Sequence, residues 1–175
     1  MPNKVFIATS LDGFIAQADG DIAFLDTYPP QEEDMGYAEF MSGIDALVMG
    51  RKTFEKVMSF GIEWPYSKPV FVWTQSLQQL PENLPKNVSL ISGNAESIHQ
   101  KMNDAGLKNI YIDGGQTIQS FLQANLIDEI TITTVPVLLG EGIGLFGKID
   151  SVKQFKCCQT RLFKNGYVMN QFVKQ

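Results

Sequence analysis

The sequence predicts an α/β fold, a mostly parallel central sheet flanked by helices and finished by an antiparallel hairpin. Short runs rich in β-branched and aromatic residues recur along the chain, and longer stretches with helical spacing of apolar residues separate several of them. Each parallel pairing needs such a crossover, so the alternation itself implies the sheet. Near the C-terminus the pattern changes. Two strand-like runs, 154–163 and 167–173, flank Lys164-Asn165-Gly166, and an Asn-Gly pair between strands signals a hairpin.

The expected strands are 5–9, 46–49, 70–73, 88–91, 110–112 and 127–137, and the expected helices are 33–43, 52–59, 95–105 and 116–124. With 175 residues and no repeat or linker, the chain reads as a single domain over 1–175. Residues 20–34 are polar and turn-rich, either a flap over a site or a surface connection.

Composition excludes several function classes. The apolar fraction is 44% and the charged fraction 19%, too hydrophobic for a disordered chain, yet no apolar run approaches the ~20 residues that span a bilayer. Fourteen basic against nineteen acidic residues leave a net charge of −5, the wrong sign for gathering phosphates along a nucleic acid. No membrane or nucleic-acid partner is expected. The start of the chain lacks the basic segment and apolar stretch of a secretory signal, so a cytoplasmic location is expected. Cys157 and Cys158 are adjacent and, in a strand, point to opposite faces; they read as reduced packing residues. His99 is the single histidine, expected on a helix surface, and neither a metal site nor a Ser-His-Asp triad has its parts.

Chemistry concentrates where a strand runs through glycine into a helix. In Val48-Met49-Gly50-Arg51-Lys52-Thr53, glycine lets a ligand approach the backbone, while the helix start offers free N–H groups, two cations and a hydroxyl. Ile112-Asp113-Gly114-Gly115-Gln116-Thr117 repeats the arrangement. Two such termini suit a diphosphate at the carboxyl edge of the sheet, where open α/β folds bind ligands; the alternative is a pair of ordinary helix-entry turns. After the strand at 70–73, Thr74 and Ser76 stand where they could join Arg51 around a 2′-phosphate, or could be turn residues. The run Gly142-Ile143-Gly144-Leu145-Phe146-Gly147 satisfies G-x-G-x-x-G but precedes no convincing helix, and it reads as a chance match in a loop.

With these residues in hand, the sequence resembles the dihydrofolate reductase fold family, in the branch of the reductase domain of bacterial riboflavin biosynthesis. The resemblance is carried by residues 8–16 (Ala8-Thr9-Ser10-Leu11-Asp12-Gly13-Phe14-Ile15-Ala16), 48–55, Asp113-Gly114-Gly115 and 135–142. It implies an NADPH-dependent reductase acting on a flat nitrogen heterocycle, an aminopyrimidine of the 5-amino-6-(5-phosphoribosylamino)uracil type or a dihydropterin. Arg51 would hold the 2′-phosphate with Thr74 or Ser76. Gly50, Lys52 and Thr53 would meet the diphosphate from one side and Asp113, Gly114, Gly115, Gln116 and Thr117 from the other. Ala8 and Ile15 match positions lining the nicotinamide pocket. Asp12, Phe14 and Pro136 are expected on the substrate side. Asp34 falls where dihydrofolate reductases place the helix carboxylate that grips the pterin ring, which makes it the candidate catalytic residue; the alternative is a solvated helix start. A homodimer is a further expectation. A non-catalytic nucleotide-binding module and a flavin-binding electron carrier are the competing readings.

Overall fold

A computed structural model of the chain describes residues 2–27 and 34–175. Ten strands alternate with four α-helices: β1 (Asn3–Ser10), β2 (Phe14–Ala16), α1 (Tyr37–Ser42), β3 (Ala46–Gly50), α2 (Arg51–Ser59), β4 (Val70–Trp73), β5 (Val88–Ile91), α3 (Ala95–Asp104), β6 (Ile110–Asp113), α4 (Gly115–Gln123), β7 (Glu129–Val135), β8 (Ile143–Gly144), β9 (Phe155–Leu162) and β10 (Val168–Lys174). Eight strands form one sheet in the order β5-β4-β3-β6-β1-β7-β10-β9. The pairings from β5 to β7 are parallel, and β10 and β9 add antiparallel, as the alternation and the Asn-Gly turn predict.

Helices cover both faces of the parallel part, which is why its strands read as continuous apolar runs. In β3, Ala46 and Val48 turn to one layer with Ile98 of α3 and Ile118 and Phe121 of α4. Leu47 and Met49 turn to the other, with Ile44, Phe54 of α2 and Tyr111. Ile112, Ile118 and Ile98 are wholly buried, each contributing about 1.5–3 kcal/mol of transfer free energy.

Several expectations are corrected. The helix foreseen over 33–43 is only α1, because Met35 (φ 56°) and Gly36 (φ 83°) adopt left-handed backbone that a helix cannot continue through; residue 33 and most of the 20–34 segment lie outside the described residues. The strand foreseen over 127–137 is β7, 129–135. Residues 142–147 are neither a dinucleotide loop nor a helix entry. As expected, the run lies in a loop, in which only Ile143–Gly144 form a strand, β8, paired with β2, and Gln119 Nε2 donates to the carbonyls of Gly144 (3.1 Å) and Leu145 (3.2 Å). Cys157 and Cys158 do not pack: both are exposed and free, since β9 is the outermost strand and no helix covers it. His99 is half-buried, with Nδ1 2.9 Å from Asn3 Nδ2, rather than a plain surface residue. No helix among the described residues is long and apolar enough to cross a membrane.

Candidate functional site

The carboxyl ends of the parallel strands bring the two glycine turns together. Gly50 ends β3 and Gly114 follows β6, its neighbour in the sheet. Each glycine abuts the threonine in the first turn of the opposite helix: a Cβ on Gly50 would stand 2.9 Å from Thr117 Oγ1, and one on Gly114 would overlap Thr53 Oγ1. Neither α2 nor α4 has a side-chain cap, whereas Asn94 caps α3 by accepting from Ser97 N at 2.9 Å. Two helix starts therefore lie side by side with backbone N–H groups open to an anion. Gly115 in turn meets Ile15, whose Cδ1 would be 2.7 Å from a Cβ there.

One flank of this cleft is basic. Arg51 Nη1 donates to Ser76 Oγ at 3.1 Å, and its Nε pairs with Glu55 at 3.4 Å, so the guanidinium is already oriented. Of the two candidates Thr74 and Ser76, Thr74 is a turn residue, one of the alternatives the sequence leaves open: its oxygen accepts from Ser76 N (3.2 Å) and Leu77 N (3.1 Å), and it is buried beneath the turn it shapes. Lys52 and Gln116 are exposed beside the two helix starts. Beyond Ser76 a cavity of about 460 Å³ opens between the ends of β4 and β5 and helices α3 and α4, lined by Trp73, Gln75, Gly93, Asn94, Ala95, Glu96, Ser120, Gln123 and Ala124. Trp73 stands fixed there, its Nε1 donating to Gly93 O at 2.9 Å and its ring edge-on to Phe121. It was not among the expected site residues, although a tryptophan closing a strand beside a hydroxyl turn is a usable signal.

On the other flank lies a cavity of about 330 Å³, lined by Phe6, Ile7, Ala8, Leu25, Asp34, Met35, Tyr37, Thr133 and Tyr167. Ala8 and Asp34, distant in sequence, meet here. Thr133 pairs with Ala8 across β1 and β7, and its hydroxyl is buried without any hydrogen-bond partner among the described residues. A buried hydroxyl left unpaired costs about 1–3 kcal/mol, and Trp64 Nε1 and Asn87 Oδ1 are unpaired in the same way elsewhere among the described residues. Sequence reasoning missed Thr133, because a threonine within Ile130-Thr131-Ile132-Thr133 looks like an ordinary strand residue. Asp34 is exposed and accepts from Ala38 N (2.7 Å) and Gly36 N (3.0 Å), which hold its carboxyl below the usual range.

Asp113 sits between the flanks, opposite Met49 in register and partly buried. Burial pushes its carboxyl up to about 6, against the opposing hydrogen bonds of Gly114 N–H and the Tyr111 side chain. Its charge reaches Tyr37, Tyr66 and Tyr111, and Tyr37 is pushed to about 12, chiefly by its own burial. The environment of Asp113 is thus that of an acid near neutrality, in addition to its place beside the glycine turn.

Three residues expected on the substrate side are not among those that line the smaller cavity. Asp12 is a loop tie: it accepts from Ser10 Oγ (2.6 Å), Gly140 N (2.8 Å) and Leu139 N (3.1 Å), so its oxygens are spent on the chain itself. Phe14 belongs to the β2–β8 ribbon, its ring 3.2 Å from a Cβ built on Gly142. Pro136 is exposed near Gly166 at the hairpin turn. No group of three or more potential metal ligands occurs among the described residues.

The family model of the RibD C-terminal domain matches residues 4–169. The uncharacterized protein YwjB of Bacillus subtilis (strain 168) is 34% identical over 161 residues, covering 91% of this chain and 90% of that protein. A crystal structure from Shewanella sp. PV-4, provisionally named a riboflavin biosynthesis protein, is 41% identical, superimposes with a TM-score of 0.96 and is covered to 99%. A Thermotoga maritima diaminohydroxyphosphoribosylaminopyrimidine deaminase/5-amino-6-(5-phosphoribosylamino)uracil reductase shares the fold at 16% identity and a TM-score of 0.71, with 99% of this chain and 56% of that one covered.

Proposed function

The chain belongs to the RibD C-terminal domain family, and on that premise we propose that it is an NADPH-dependent reductase acting on a flat nitrogen heterocycle, an aminopyrimidine or a dihydropterin. The observation that carries the reading is the cradle between Gly50 and Gly114, where a single methyl on either glycine would meet a threonine hydroxyl of the facing helix. Such close approach keeps two rows of backbone N–H groups on one small space, which suits a diphosphate.

The residues fit that cofactor along its length. Arg51 with Ser76 suits a 2′-phosphate, through the planar fork of the guanidinium. Trp73 offers an aromatic wall for adenine in the larger cavity. Thr53, Lys52, Gln116 and Thr117 surround the diphosphate position, and Ile15 and Ala8 line the way to the smaller cavity. NADPH, when bound, supplies the hydride, so the protein needs no nucleophile or metal and its task is alignment. Ala8 leaves room for planar stacking beside the acceptor pocket. Asp34 accepts from ring N–H groups, and Asp113 holds a proton in the mildly acidic range.

Titration of the protein with NADPH and then NADH, following Trp73 fluorescence with Trp73→Phe as control, tests the reading. Tight binding with preference for NADPH is expected. Absence of binding by either nucleotide would make the glycine turns structural and favour a non-catalytic module; a flavin retained on purification would favour the electron carrier.

A further inference from the structure

We propose that the substrate of this chain carries no phosphate: the smaller cavity takes a neutral or cationic planar heterocycle, unlike the phosphoribosyl compound for which the Thermotoga protein is named. The inference rests on the reading above that this cavity is the acceptor site. It is carried by the charge and hydrogen-bonding inventory of the walls. Among the described residues, none of the nine lining residues is Lys or Arg, and the one charged group, Asp34, is a carboxylate.

A phosphate dianion taken from water must find cations or free N–H donors, and the surroundings have already used theirs. The backbone N–H groups of Gly36 and Ala38, the donors nearest the carboxylate, are given to Asp34 itself. Arg51 lies on the cofactor flank, engaged by Ser76 and Glu55. Arg161 is the cation whose field reaches Asp34, and its guanidinium lies over the Phe163 ring, 4.7 Å from the centroid. Asp113, the next ionisable group toward the cleft, adds a second carboxylate. What the cavity does offer is the Asp34 carboxylate and the rings of Phe6, Tyr37 and Tyr167. Those groups match a flat ring with N–H substituents.

The test is calorimetric titration with a matched pair, 5-amino-6-(ribosylamino)uracil and its 5′-phosphate, together with 2,4-diaminopyrimidine, each with and without saturating NADPH. Phosphate-free ligands are expected to bind at least tenfold more tightly than the phosphorylated one. Asp34→Asn should narrow that gap, and Leu25→Arg, which puts a cation in the wall, should raise affinity for the phosphorylated ligand. Equal or tighter binding of the phosphorylated ligand overturns the proposal, and its loss in Arg161→Gln would locate the phosphate. Binding of none of the three also overturns it. Failure of NADPH to bind defeats the reading above but leaves the comparison of ligands intact, since it is also made without cofactor.

Discussion

Gly114 lies directly against the Thr53 hydroxyl, in a backbone conformation (φ 90°, ψ 137°) that side-chain-bearing residues rarely adopt. Two independent constraints thus fall on one residue. Gly114→Ala should cost about 1–3 kcal/mol from the backbone alone, and the overlap with Thr53 adds to it. Since a domain of this size loses roughly 2–4 °C per kcal/mol, a melting temperature lowered by several degrees is expected. The double variant Gly114→Ala/Thr53→Ala should recover the part due to overlap and none of the backbone part. A melting temperature unchanged in Gly114→Ala would refute the packing described.

Arg51 should discriminate between the two nicotinamide nucleotides. Its guanidinium is held toward Ser76 on the cofactor flank, and a charge-assisted hydrogen bond to a phosphate is worth about 1.5–3 kcal/mol. Arg51→Ala should therefore weaken NADPH by roughly 10- to 100-fold and change NADH little. Isothermal titration of both nucleotides decides it; equal loss for the two would sink the 2′-phosphate role.

How much of this was legible in the sequence depended on how local the cause was. Both glycine turns and the hairpin announce themselves within a few residues: Gly114 and Gly166 hold positive φ, and Gly50, with extended backbone (φ −73°), stands at the passage from strand to helix. The hydrogen bonds of Asp12 were not legible because its partners, Leu139 and Gly140, lie more than 120 residues away. Thr133 was invisible for a related reason: a strand threonine becomes informative only when its neighbours are seen to leave its hydroxyl unpaired. Cys157 and Cys158 looked like packing residues because apolar character does not reveal that β9 is the edge of the sheet. The short β2–β8 ribbon has too few residues to show any period.

Asp12 makes the loop after β1 sensitive to acid. The Ser10 hydroxyl, foremost, and the N–H groups of Gly140 and Leu139 stabilise the carboxylate and hold its pKa below 3.8. A carboxyl depressed in the folded state contributes stability that is present above the unfolded value and lost as pH falls through the folded one. Thermal melts should therefore show this contribution constant from neutrality down to about pH 4 and disappearing below it. Asp12→Asn should lower the melting temperature at pH 7 and remove that acid-side slope. A variant as stable as the parent at pH 7 would mean that the clamp between residues 12 and 140 contributes nothing.

Asp113 predicts the opposite slope. Burial raises its carboxyl to about 6 from 3.8, so the folded protein binds its proton more tightly than the unfolded chain does. A raised acid gives stability that is fully present below the unfolded value and lost as pH rises through about 6. The ionised form therefore burdens the folded state at neutral pH, by on the order of 3 kcal/mol. Asp113→Asn, which keeps the shape and removes the charge, should raise the melting temperature at pH 8, leave it nearly unchanged at pH 4, and flatten the dependence between. Activity should move the other way: if the carboxyl supplies a proton during reduction, the parent's kcat should fall as pH rises through the titration, whereas the Asn variant should be slow and insensitive to pH. Stabilisation without loss of rate would leave Asp113 a purely structural acid and transfer the proton-donor role to Asp34 or to solvent.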